Sequence, residues 1–79
     1  MTNLDRIIIL GEGMHGSVWR RPVATILGVD PKLVRMWIEG VRYPSDRHVQ
    51  ELRRVAESDL EELQIALHRT ADRDPQVGD

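Results

Sequence analysis

Four side chains between Pro31 and Gly40 have the types and the spacing of a binding ridge. They recur at positions i, i+3, i+4 and i+7, and they are Lys32, Arg35, Met36 and Glu39. Residues at this spacing share one face of a helix. The two cations on that face can donate to a surface rich in hydrogen-bond acceptors, while the thioether offers an apolar contact and the carboxylate accepts from a donor. The sequence therefore indicates recognition chemistry at this position.

Residues that could catalyse a reaction or hold a metal follow no recognisable pattern. Ser17 and Ser45 have no acid–base partner at a known spacing, so we expect each to begin a helix. The chain has no cysteine, and its histidines are scattered, at His15, His48 and His68. We therefore expect no enzyme, no metal and no other cofactor.

One competing motif is GEGMHG, residues 11–16, which matches the G-x-G-x-x-G pattern of dinucleotide sites. The apolar residues before it could form a strand, and Glu39 could supply the later acidic group. A chain of 79 residues with helix-spaced segments after this motif cannot supply the further strands of a parallel sheet. We expect these glycines to end one helix and to shape the turn into the next.

The elements that position the ridge are predicted to be all-α. Apolar periodicity and capping residues predict about four helices, over residues 3–14, 18–27, 31–39 and 46–71, followed by a frayed tail at 72–79. Thr2 and Asp5 resemble a capping box for the first helix. Ser17 is expected to cap the second helix, whose start Pro22 moves to Trp19 or later. Residues 1–71 are expected to form a single domain.

The joint between the second and third helices has a well-defined turn chemistry. Gly28 permits the left-handed conformation that ends a helix, and Asp30 can cap the next one. Pro31 then occupies the first helical position, where a missing N–H costs nothing. Gly40 is expected to end the third helix. Such a short joint sets the angle between two helices.

The apolar faces of these two helices are expected to fix which side of the third helix is exposed. Val34, Trp37 and Ile38 lie together at helical spacing and should pack inward. Ala24, on the second helix, is small enough for another helix to approach closely. The ridge would then face outward.

Charge is unevenly distributed along the chain, although the net charge is only −2. Residues 1–19 carry −1, residues 20–54 carry +4 and residues 55–79 carry −5. The central segment thus predicts an anionic partner, such as nucleic acid, in the region of the ridge.

From Arg20 to Glu39 the sequence resembles the helix-turn-helix DNA-binding domains of the λ-repressor/Cro-like class, as found in small phage, plasmid and anti-CRISPR-associated repressors. Ala24, Gly28, Val29, Val34 and Trp37 stand where that motif has its small residue, its turn glycine and its buried positions. The following GVRYP resembles the G-x-R-x-P ending of such motifs. This sequence differs in having Arg20 where many members have glutamine, and Pro31 where many have a polar base-contacting residue.

The resemblance implies that residues 31–39 form a recognition helix in the major groove of double-stranded DNA. The residues implied to contact bases are Lys32, Arg35 and Met36. The residues implied to contact phosphates are Arg20, Arg21, Arg42 and Tyr43. The implied function is that of a sequence-specific transcriptional regulator, a repressor that covers a palindromic operator.

An apolar stripe along the fourth helix predicts a partner surface at its far end. Its members recur every three or four residues, at Val49, Leu52, Ala56, Leu60, Leu63 and Leu67. The second half extends beyond what three short helices can cover, so Leu60, Leu63 and Leu67 are expected to form a homodimer interface. A monomer with a folded-back tail is the alternative, and Ser58 with Glu61 would permit a break near residue 57. The stripe also leaves open a second function, an antitoxin-like or adaptor module that binds another protein.

Length and composition agree with one small domain outside the membrane. A chain of 79 residues with 41% hydrophobic residues can form one compact core. It has no apolar run of the roughly 18 residues that a membrane span needs, and no signal-peptide pattern. We expect a cytoplasmic protein.

Overall fold

The computed structural model describes residues 1–71, and within them every regular element is helical. The α-helices are α1 (Asn3–His15), α2 (Arg20–Leu27), α3 (Pro31–Glu39) and α4 (Asp46–Arg69). A single turn of 3₁₀ helix, Gly16–Val18, joins α1 to α2. The all-α class with a long C-terminal helix is confirmed. The predicted tail, residues 72–79, lies outside the described residues.

The start of α1 has the predicted capping box. The Asp5 N–H donates to the Thr2 hydroxyl oxygen at 3.1 Å, and the Thr2 N–H donates to an Asp5 carboxylate oxygen at 3.0 Å. The hydrogen bond from the Thr2 backbone holds the pKa of the Asp5 carboxyl below its ordinary value of 3.8. The charged carboxylate therefore stabilises the folded state.

This capping box predicts a specific pH dependence. Because the pKa of Asp5 is lower in the folded state than in the unfolded state, its charge stabilises the fold at pH values above the unfolded-state pKa. This stability is lost as the pH falls through the folded-state pKa. We expect Asp5→Asn to lower the melting temperature near neutral pH, and this difference to shrink as the pH falls through the lowered folded-state pKa of Asp5. Thermal unfolding followed by circular dichroism at stepped pH measures the difference. A constant difference across the range would contradict this role.

Ser17 does not cap α2, and that prediction is wrong. Gly16 ends α1 with a φ of 65°, and Ser17 then lies inside the 3₁₀ turn. The residue before α2 is Trp19, whose backbone is already helical (φ −77°, ψ −21°) and whose side chain makes no capping hydrogen bond. The turn carries the indole of Trp19 into the core, and this burial decides where α2 begins.

The joint between α2 and α3 forms as its residue types predict. Gly28 is left-handed (φ 65°, ψ 32°), and its N–H donates to the last turn of α2. The Asp30 carboxylate accepts the Lys32 N–H at 2.8 Å, with Pro31 in the first turn. Gly40, also left-handed, ends α3. The angle between the helices is therefore set by local hydrogen bonds and by glycine conformation.

The core lies between α1, α2, α3 and the first half of α4. Its buried members are Ile7, Trp19, Val23, Ala24, Leu27, Val34, Trp37, Val49 and Leu52. Ala24, Val34 and Trp37 were expected there, whereas Ile38 is only half-buried. Trp19 was not expected to be buried.

Two glycines of the GEGMHG motif lie inside α1 and do not end it. A Cβ added to Gly11 would lie 2.8 Å from the Trp19 ring and 3.0 Å from Val23, whereas Gly13 has open space around it. Gly11 therefore permits the close approach of the indole. Only Gly16 ends the helix, so the expectation of a turn holds for that glycine alone.

Helix α4 is continuous, without the break considered near residue 57. It ends at Arg69, two residues before the predicted end, where Thr70 leaves the helical conformation. The single hydroxyl proton of Thr70 is shared between the carbonyls of Ala66 and Leu67. Residues 57–71 are all exposed, so the second half of α4 projects from the domain. The molecule measures 53 × 23 × 21 Å. No helix within residues 1–71 has the length and apolar character needed to cross a membrane.

Candidate nucleic-acid interface

The exposed face of α3 is fixed by what lies behind it. Val34 and Trp37 are each 1% exposed, and the Trp37 ring also packs against the ring of His48, with 5.0 Å between the ring centroids. Burial of these two side chains prevents α3 from rotating about its axis. Lys32 and Arg35 are therefore held outward, as the sequence predicts.

Met36 differs from the other two residues implied to contact bases. Its side chain is half-buried, so less of it is available to a partner than its position in the pattern suggests. Its carbonyl oxygen accepts the N–H of Val41 at 3.0 Å and that of Arg42 at 3.3 Å. These bonds attach the following loop to the end of α3.

The residues implied to contact phosphates are exposed at both ends of the α2–α3 unit. Arg20 and Arg21 occupy the first turn of α2, which contains no acidic residue. Arg42 and Tyr43 are exposed in the loop after α3, and Tyr43 is 79% exposed. A tyrosine so exposed contributes little to the core, and its hydroxyl is accessible to a partner.

The loop that carries these two side chains is fixed at its far end as well. The Asn3 amide donates to the Pro44 carbonyl at 3.1 Å and to an Asp46 carboxylate oxygen at 2.9 Å. Ser45 caps α4 and accepts the His48 N–H at 3.3 Å. The positions of Arg42 and Tyr43 are thus defined by hydrogen bonds on both sides of the loop.

Among the described residues, the arginines and the lysine of the α2–α3 region have no ion-pair partners, whereas two arginines of α4 do. Within residues 1–71 the ion pairs are Arg47–Glu51, at 3.4 Å, and Arg53–Glu57, at 4.0 Å. The cations outside these pairs include all five of the region, Arg20, Arg21, Lys32, Arg35 and Arg42. Their charge is not neutralised by an ion pair within residues 1–71, so it is available to an anionic partner.

The predicted partner surface on α4 is exposed as expected. Leu60, Leu63 and Leu67 are between 55% and 61% exposed. They continue the stripe whose earlier members, Val49 and Leu52, are buried in the core. The described chain leaves this part of the stripe uncovered.

Two apolar residues, one before the start of α1 and one within it, lie next to this surface and were not expected there. Met1 and Ile9 are 77% and 55% exposed, and they line a groove of about 390 Å³ that Leu60 also lines. The run Ile7 to Leu10 contains the signal, because four consecutive apolar residues cannot all face the core of a helix. Ile7 is fully buried, so Ile9, two positions later, lies on another face.

The arrangement combines a fixed helix face, two exposed cations on it and three further cations beside it. Such donors can form charge-assisted hydrogen bonds with phosphate oxygens and with acceptors on base edges. No group of three or more side chains suited to a metal occurs within residues 1–71. Comparisons with known proteins found no matching protein family, no matching curated protein and no matching solved structure.

Proposed function

We propose that this protein is a sequence-specific regulator that binds double-stranded DNA through α3, in the manner of λ-repressor/Cro-like helix-turn-helix proteins. It acts as a homodimer on a palindromic operator and represses transcription by covering that site. Its place of action is the cytoplasm. No catalytic activity and no cofactor form part of this proposal.

One observation carries the proposal. The ridge cations Lys32 and Arg35 are exposed and form no ion pair with the described part of the chain, while Val34 and Trp37, on the same helix, are buried almost completely. A helix with this division presents donors in a fixed orientation. This is the arrangement needed to fit the ~12 Å wide major groove and to distinguish base pairs.

Each side chain has a defined role under this proposal. Lys32 and Arg35 donate to guanine O6 and N7, and each good pair discriminates by ~1–3 kcal/mol. Met36 contacts a thymine methyl with the part of its side chain that is exposed. Phosphates are bound by Arg20, Arg21, Arg42 and Tyr43, which set the docking register.

The experiment that tests the proposal is selection of bound sequences from random duplex DNA at about 150 mM salt, where non-specific phosphate binding is weakened. We expect a two-fold symmetric motif with half-site centres ~10–11 base pairs apart. A single asymmetric half-site would support the regulator and contradict the dimer. No enrichment would contradict sequence-specific binding.

A second candidate function has its own support in the exposed leucines of α4. A module that binds another protein, as an antitoxin or adaptor does, would use Leu60, Leu63 and Leu67 and would not need the cations of α3. The selection from random duplex DNA would then enrich no sequence, and a different protein would cover the leucine stripe. The DNA selection separates the two functions.

For the leucine surface we expect Leu63→Glu to raise the dimer dissociation constant about tenfold or more, which is ~1.4 kcal/mol. A carboxylate buried in an apolar contact loses its hydration without a partner. Sedimentation velocity measures the change, and Ile65→Glu is the control, because residue 65 faces away from the stripe. An unchanged oligomer in Leu63→Glu would contradict the assignment of this surface.

A further inference from the structure

The groove between α1 and α4 has an apolar floor and a charged rim of two arginines and one glutamate. Its apolar lining is formed by Met1, which precedes α1, by Ile9 and Leu10 of α1, and by Ala56 and Leu60 of α4. Arg6, Arg53 and Glu57 complete the lining, so its net charge is positive. Both arginines are exposed, and within the described chain the ion pair at this edge is the long contact from Arg53 to Glu57. The groove can therefore accept an apolar helix that carries negative charge.

The second half of α4 has this composition. Residues 57–69 contain the exposed leucine stripe and four carboxylates, against a single arginine at position 69. The stripe from Leu60 to Leu67 is ~10 Å long, at 1.5 Å per residue, and the groove extends over a similar length of α4, from Arg53 to Leu60. The chain thus contains both a groove and a segment that matches it in polarity, charge and length.

This segment cannot fill the groove of its own chain. Leu60 already lines the groove, and the straight helix after it leads away from α1. Residues 72–79, DRDPQVGD, contain only one aliphatic side chain other than proline, so they do not match an apolar floor. A second copy of the chain supplies the matching segment without any change of fold.

We propose that two copies pair by docking the second half of α4 of each into the α1–α4 groove of the other. The interface is two-fold symmetric, so each groove is filled once and no surface is left for further copies. Leu63 of one chain contacts Ile9 of the other, and the carboxylates beside the stripe approach Arg6 and Arg53. This inference rests on the dimer of the proposed function and specifies its geometry.

The absence of cysteine from the sequence makes a crosslinking test unambiguous. Full-length Ile9→Cys and Leu63→Cys variants are mixed without DNA, under mild oxidation, and separated by denaturing electrophoresis. A disulfide requires Cβ atoms about 3.8 Å apart. We expect a crosslinked dimer from the mixture and much less from either variant alone. The control is a mixture of Ser58→Cys with Ile9→Cys, since both of these positions are also exposed.

Two results would overturn the inference. Crosslinking of Leu63→Cys with itself as efficiently as the mixture would mean that the two leucine stripes pack directly on each other. No crosslinked dimer in any combination would mean that this face does not join two copies. Neither result removes DNA binding by α3, which the selection experiment reads separately: an enriched sequence would retain the regulator, and its symmetry would reveal a dimer formed by another surface.

Discussion

Gly11→Ala is expected to lower the free energy of unfolding by about 1–2 kcal/mol, whereas Gly13→Ala is expected to raise it by about 0.5–1 kcal/mol. Both glycines lie in the interior of α1, where alanine is favoured by its helix propensity. At Gly11 the new methyl group would lie 2.8 Å from the Trp19 ring, so the indole must move. At Gly13 the methyl group meets nothing within 4 Å. Chemical denaturation with urea measures both changes.

The pair of variants separates packing from helix propensity, because the substitution is the same and the helix is the same. A domain of this size usually has a stability of only ~3–5 kcal/mol, so the expected loss at Gly11 is a large fraction of the total. Stabilisation by Gly11→Ala equal to that by Gly13→Ala would contradict the close contact between α1 and Trp19.

Arg35→Ala is expected to weaken binding to the selected DNA by about 5- to 150-fold, which corresponds to ~1–3 kcal/mol. The lost contacts are to a base edge, so the preference for a particular base at one position of each half-site should become weaker. Binding to unrelated DNA should change much less. Fluorescence anisotropy with the selected site and with single-base variants measures both effects.

The control for this substitution is Arg54→Ala. Arg54 is also an exposed arginine with no ion pair among residues 1–71, but it lies on the face of α4 opposite its buried stripe. We expect Arg54→Ala to bind the selected DNA with the affinity of the parent protein. Only the dependence of that affinity on salt concentration should change, and only slightly. Melting temperatures of the two variants should match that of the parent protein. An equal loss of affinity in both would indicate general attraction by charge and would contradict base recognition by α3.

The part of the fold that sequence analysis predicted well is the part controlled by neighbouring residues. The ends of α2 and α3 are determined by residues that interact only with the adjacent turn of the chain. These residues are Asp30, Pro31 and the glycines that follow each helix. The outward direction of Lys32 and Arg35 follows from the apolar spacing of Val34 and Trp37. These expectations need no knowledge of the rest of the molecule.

The features that sequence analysis missed depend on contacts between distant segments. Trp19 is buried because Gly11, one helix earlier, leaves room for its ring. The groove beside Ile9 exists only because α1 packs along α4, and no local pattern encodes that pairing. Met36 is half-buried although its spacing favours the exposed face. The roles of the candidate site residues in binding stay predictions.

The continuity of α4 determines how two DNA-binding faces would be arranged. The same uninterrupted helix contains the core residue Leu52 and the exposed leucines for which we propose a partner. An insertion of one residue between Leu52 and Leu60 would turn those leucines by about 100° around the axis and shift them by about 1.5 Å. In the proposed dimer, the length of this segment in residues would therefore set the distance and rotation between the two α3 helices, and with them the spacing of the half-sites.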